Sequence, residues 1–113
     1  MHEAAPLLEH WNRFLDWLLD RLERFPRDAR FTISQRMANL ALDALEAIIE
    51  AAYTKDRVPI LRRLNLILEK LRVMVRISHR RRYLSTDQYE HAAENLLTIG
   101  RMVGGWLRHA AAG

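Results

Sequence analysis

Apolar residues recur along this chain at intervals of three and four, and the pattern restarts four times. Leu7, Trp11, Phe14, Leu18, Leu22 and Phe25 share one face at helical spacing, with Pro6 where a first-turn proline is tolerated. This predicts a helix over about 7–25, ending at the Phe25-Pro26 pair. A charged connector from Pro26 to Phe31 follows. Thr32 with Gln35 then has capping-box spacing, so a second helix is expected over about 33–53. Thr54-Lys55-Asp56 reads as a turn with Asp56 as N-cap and Pro59 inside the first turn of a third helix, over about 57–82. Ser85 with Gln88 is a second capping box and opens a fourth helix over about 86–109, with Tyr89, Ala93, Leu96, Gly100, Val103 and Leu107 on its inner face and an Ala-rich tail expected to fray.

Connections this short make sequential helices antiparallel. The fold class is therefore all-α, a single up-down-up-down four-helix bundle spanning 1–113 and about 30–35 Å long. No internal repeat, low-complexity segment or strand alternation competes with this reading. The first apolar stretch, Leu7 to Leu22, is interrupted by Glu9, Arg13, Asp16, Asp20 and Arg21, which suits neither a signal-peptide core nor a membrane span. A cytoplasmic protein without a membrane partner is the expectation.

Two helices carry more apolar surface than a bundle core uses. In helix two the polar residues Gln35, Arg36, Asn39, Asp43, Glu46 and Glu50 fill an arc of only about 100°. In helix three, Leu61, Leu64, Leu68, Leu71 and Val75 form an a/d seam flanked by Ile60, Ile67 and Met74. Leu66, Val73 and Ile77 project from nearly the opposite side, among Arg62, Arg63, Lys70 and Arg76. An apolar strip in a basic field suits an interface between subunits, and a ring or barrel-shaped homo-oligomer would cover it. The alternative is that scattered surface hydrophobics are ordinary.

Composition sharpens the picture in two ways. Half of the 113 residues are apolar and 28% charged, with four Gly and three Pro, as in a globular domain. The absence of cysteine removes disulfides, thiolate metal sites and cysteine nucleophiles. The net charge of +4 hides its distribution. Lys55 to Arg82 holds ten Lys or Arg against Asp56 and Glu69 (+8), residues 1–54 hold six bases against nine acids (−3), and residues 83–113 hold two against three (−1). Arg72, Arg76 and Arg80 stand at i, i+4, i+8 along one edge of helix three, and Arg81 and Arg82 extend the charge beyond its end. With Arg62, Arg63 and Lys70 they form a candidate surface for nucleic acid or an acidic protein, since phosphate backbones are bound mainly through Lys/Arg arrays. Alternatively, these arginines pair with the acids of helices one and two. His79 and Tyr83 offer rings for base stacking, or for plain packing.

Chemistry finds little support. The paired Glu-x-x-His motifs of di-metal bundles are absent, and His91-x-x-Glu94 has the reverse order. No Ser-His-Asp set, phosphate-cradling glycine loop or dinucleotide fingerprint can be drawn. Arg72 and His79 match the Arg-x(4–6)-His spacing of helical HEPN-type ribonucleases, but lie about 10.5 Å apart in rise along one helix. Gly100 and Gly104 read as positions of close helix approach, Trp106 as a plug of the bundle end, and Trp11 and Trp17 as core and core edge. No catalytic residue, metal, cofactor or small-molecule substrate is expected.

The connector Phe25-Pro-Arg-Asp-Ala-Arg-Phe-Thr32, the following Gln35-Arg36, Glu50-Ala-Ala-Tyr53, Leu84-Ser-Thr-Asp-Gln-Tyr-Glu90 and Ile99-Gly-Arg-Met-Val-Gly-Gly-Trp106 together resemble Avd, the accessory variability determinant family of diversity-generating retroelements. The resemblance covers about residues 20–108. It implies a four-helix bundle assembled as a basic homopentameric barrel. It also implies a partnership with the retroelement reverse transcriptase and its template RNA or RNA–DNA hybrid, supporting mutagenic copying without catalysis. Bundle proteins of ribosomal RNA intervening sequences look similar and supply the alternative of an orphan nucleic-acid-binding bundle, while the Arg72/His79 spacing supplies that of a ribonuclease. The candidate residues rest on charge and apolar pattern, not on family contacts.

Overall fold

A computed structural model describes residues 3–113. Four helices carry the fold: α1, Ala4–Glu23; α2, Gln35–Tyr53; α3, Val58–Arg80; and α4, Thr86–Ala112. They pack around a single core, α1 on α2, α2 on α3, α3 on α4 and α4 back on α1, as short connections demand. The longest dimension is 46 Å, more than the expected bundle length. Much of the difference lies in α4, which continues through the Ala-rich tail to Ala112 and at 27 residues is about 40 Å long. Among the described residues no helix is long and apolar enough to cross a membrane.

The core explains why α2 is so rich in alanine. Its inner face is Ala41, Ala44, Ala47 and Ala51 with Met37 and Ile48, all essentially solvent-free, and the small residues let neighbouring helices approach. Trp11 of α1 is fully buried, and its indole N–H donates to the Ala41 carbonyl at 3.1 Å, which satisfies the one polar atom this ring takes inside. On α3 the seam Leu61, Leu64, Leu68, Leu71 and Val75 is buried as its heptad spacing requires. Trp106 closes one end of the bundle beneath the Arg57 guanidinium, 5.6 Å from the ring centroid.

Three local expectations are overturned. Thr32 does not cap α2. Its hydroxyl donates instead to the Ala29 carbonyl at 3.3 Å, because the connector is already helical: a 3-10 turn, Arg27–Ala29, passes into a π-helical turn, Arg30–Ser34, and then directly into α2. A helix entered from another helical turn finds backbone carbonyls for its first N–H groups and needs no side-chain cap. Asp56 is likewise not the cap of α3. Arg57 occupies that position without a side-chain bond to the helix N–H groups; its Nε donates back to the Thr54 carbonyl at 3.1 Å, while Pro59 sits in the first turn as expected. The buried face of α4 is centred on Ala92, Leu96, Ile99, Val103 and Trp106, rotated by about 60° from the expected one. The cause is α1, which covers that side through His10 to Asn95, 3.1 Å, and Trp17 against His91, ring centroids 4.5 Å apart. Tyr89, Ala93, Gly100 and Leu107 are left half-buried.

The Ser85 capping box forms as its spacing predicts. Ser85 Oγ accepts from the Gln88 N–H at 3.1 Å, and Gln88 Oε1 accepts from the Ser85 N–H at 2.9 Å. The turn before it is equally specific. Arg82 has φ 66°, and the Arg82 and Tyr83 N–H groups donate to the His79 and Ser78 carbonyls at 3.0 and 2.8 Å. This is a Schellman ending with arginine where glycine is usual.

Candidate nucleic-acid interface

The helical repeat sorts the cations of α3 into two edges about an outward strip. Leu66 and Val73 lie on that strip, 55% and 39% exposed. Ile77, expected beside them, is half-buried and so is not part of the exposed strip. Lys70 and Arg63 stand on the edge toward α2. There Lys70 and Val73 line an open cavity of about 650 Å³ together with Arg36, Asp43 and Met74. Arg72 and Arg76 stand on the edge toward α4, and Arg80 and Arg82 follow at the turn.

Four cations of the basic segment have partners. Arg63 Nη2 donates to Glu50 of α2 at 2.7 Å. Arg57 lies over Trp106. Arg81 Nε donates to the Tyr83 hydroxyl at 3.0 Å, and that bond, helped by the ring's charge, raises the Arg81 pKa further. Arg72 is the most engaged: it donates to Glu69 at 3.1 Å and, across the helix pair, to the Leu96 carbonyl at 3.3 Å. Its guanidinium lies in the notch left by Gly100, where a Cβ would overlap Nη2. Gly100 therefore makes room for an arginine head, not for the close backbone approach expected of it, and beside Gly104 the nearest group is likewise an arginine, Arg108.

Arg62, Lys70, Arg76, Arg80 and Arg82 are exposed. Among the described residues no carboxylate lies within 4.0 Å of any of them. Pairing of the α3 cations with the acids of neighbouring helices thus accounts for Arg63 alone. Of the candidate array, Arg63 and Arg72 are committed to the bundle, Arg81 to Tyr83, and the other five face outward uncompensated.

The two candidate stacking rings are both packed. Tyr83 tilts against Phe25 at 5.3 Å, and His79 stacks on Tyr89, centroids 4.5 Å apart and planes 14° from parallel. His79 Nε2 also lies 3.3 Å from the Thr86 hydroxyl. The structure ties Arg72 and His79 to separate partners, Leu96 and Glu69 for one, Tyr89 and Thr86 for the other, and does not join them as a pair. The half-buried Tyr89 and the 51%-exposed Leu97 flank the cationic edge from α4; the periodicity places Tyr89 on the inner face, and nothing in the pattern singles out Leu97.

The fold and this charge distribution can be set beside known families. A family model described as bAvd-like matches residues 7–110, all four helices nearly end to end. The chain belongs to the bAvd-like family. A search of curated proteins finds no match. The bAvd-like assignment bears out the resemblance read from the connector and the starts and ends of the helices, and it makes this an Avd-type accessory protein. In this bAvd-like chain α3 supplies a buried seam of the shared core on one side and outward cations on the other.

Proposed function

We propose that this Avd-type protein binds the reverse transcriptase of a diversity-generating retroelement and its template RNA or cDNA hybrid, as a non-catalytic scaffold for mutagenic copying. The observation that supports this reading is the uncompensated set Arg62, Lys70, Arg76 and Arg80 on α3, a helix whose neighbours are net acidic, with Arg82 in the turn that follows. Cations facing water without counter-charges repel one another and favour a polyanion that releases its counterions on contact. The exposed strip of Leu66 and Val73 supports self-association into a ring, in which the cationic edges of successive subunits form a continuous surface.

The test replaces Arg76, Arg80 and Arg82 with Glu and measures copurification with a candidate diversity-generating-retroelement reverse transcriptase coexpressed with the protein, and RNA binding by anisotropy. Helical circular dichroism should be unchanged, because among the described residues the three exposed side chains make no hydrogen bond or ion pair. Loss of both partners is expected. Retention of both at wild-type affinity rejects the assignment of these residues.

A further inference from the structure

The edge of α3 that faces α4 is a groove, and its walls differ. One cavity of about 400 Å³ is lined by Arg72 and Arg76 of α3 and by Tyr89, Ala93, Leu96 and Leu97 of α4. A second, about 630 Å³, lies toward the turn and is lined by His79, Arg80 and Arg82 with Thr86 and Gln88. The stacked His79 and Tyr89 rings link the two, Tyr89 lining the first and His79 the second. Along this wall Arg76 and Arg80 are one turn apart, about 6 Å in rise. The opposite wall offers an aromatic ring, the exposed Leu97 side chain and the amide of Gln88.

We infer that this α3–α4 groove is a binding site for single-stranded nucleic acid, with the phosphates on Arg76, Arg80 and Arg82 and one base stacked on Tyr89. A duplex keeps its base faces inside the stack and can use only the arginines. A single strand can use the arginines and the ring together, which is the combination that non-sequence-specific single-strand sites employ. His79 backs the Tyr89 ring in near-parallel contact and so holds it in a fixed plane against an incoming base. The Arg72 clamp to Leu96 fixes the groove's width, since it ties the two walls together. This inference rests on the polyanion reading above and narrows it to one strand and one groove.

Fluorescein-labelled oligoadenylate and the same strand annealed to oligouridylate are the probes, bound to the full-length protein and read by anisotropy. Tyr89→Leu should weaken the single strand by about tenfold, the size of one lost base–ring stack, and leave the duplex unchanged. Tyr89→Phe should restore wild-type binding. Arg76→Gln with Arg80→Gln should weaken both probes. If Tyr89→Leu alters neither probe or both equally while the arginine variant weakens both, the groove inference fails and the polyanion reading stands. If the arginine variant also changes nothing, the polyanion reading itself fails. Ultraviolet crosslinking of unmodified protein to oligoadenylate avoids any folding defect in the variants. Mapped by mass spectrometry, the crosslink should fall on the peptide containing Tyr89, and crosslinks confined to other peptides overturn the proposal.

Discussion

Replacing Gly100 with alanine isolates the contact that joins α3 to α4. In an ordinary helix interior the change stabilises by about 1 kcal/mol, the difference in helix propensity. Here the new Cβ overlaps Nη2 of Arg72, so the guanidinium must swing out and release the Leu96 carbonyl, at 3.3 Å. Hydrogen bonds from charged groups contribute about 1.5–3 kcal/mol when sheltered. The Arg72 side chain keeps 34% of its exposure, so solvent replaces part of this and about 1 kcal/mol is the appropriate size. The two effects nearly cancel, and Gly100→Ala alone should leave stability almost unchanged. In an Arg72→Ala background the notch is empty, and the same substitution should give its full gain of about 1 kcal/mol, about 4 °C in the melting midpoint. The assay is a double-mutant cycle by urea or thermal denaturation, followed by circular dichroism at one fixed protein concentration, since the midpoint of an associating protein depends on concentration. A coupling of about 1 kcal/mol is expected. Equal effects of Gly100→Ala in both backgrounds, to within about 0.3 kcal/mol, refute the clamp.

Other substitutions probe the turn, the cap and the strip. Arg82→Gly relieves a left-handed backbone that disfavours a Cβ and should raise stability by about 1 kcal/mol in denaturant titration. It should also lower the salt-dependence slope of single-strand binding by about 0.7, one phosphate contact. Ser85→Ala removes half of a reciprocal cap and should destabilise by about 1 kcal/mol in the same titration, whereas Ser85→Asp, which can still accept from the Gln88 N–H, should keep most of the wild-type stability. Leu66→Asp with Val73→Asp places charge on two exposed positions, so helicity should persist while light scattering shifts toward the monomer mass. An unchanged mass in that experiment rejects Leu66 and Val73 as residues of the proposed subunit interface.

The number, type and order of the helices could be read from the sequence alone, because they follow from spacings within a single segment. A heptad such as Leu61 to Val75 places its residues on one side of a helix whatever packs there, and a cap such as Ser85 with Gln88 closes over four residues. The concentration of charge on the third helix is likewise a local sum. Which charges stay available is decided between segments. Glu50 takes Arg63 from α2, Leu96 and the Gly100 notch take Arg72 from α4, and Trp106 takes Arg57 at the bundle end. The inner face of α4 turned because α1, more than seventy residues earlier in the chain, lies over it through His10 and Trp17. Ion pairs, ring stacks and notches join residues far apart in sequence, and a period of 3.6 carries no record of them. The chain's pattern determined a basic helical bundle; its packing selected which five of the candidate cations face outward and the ring set beside them.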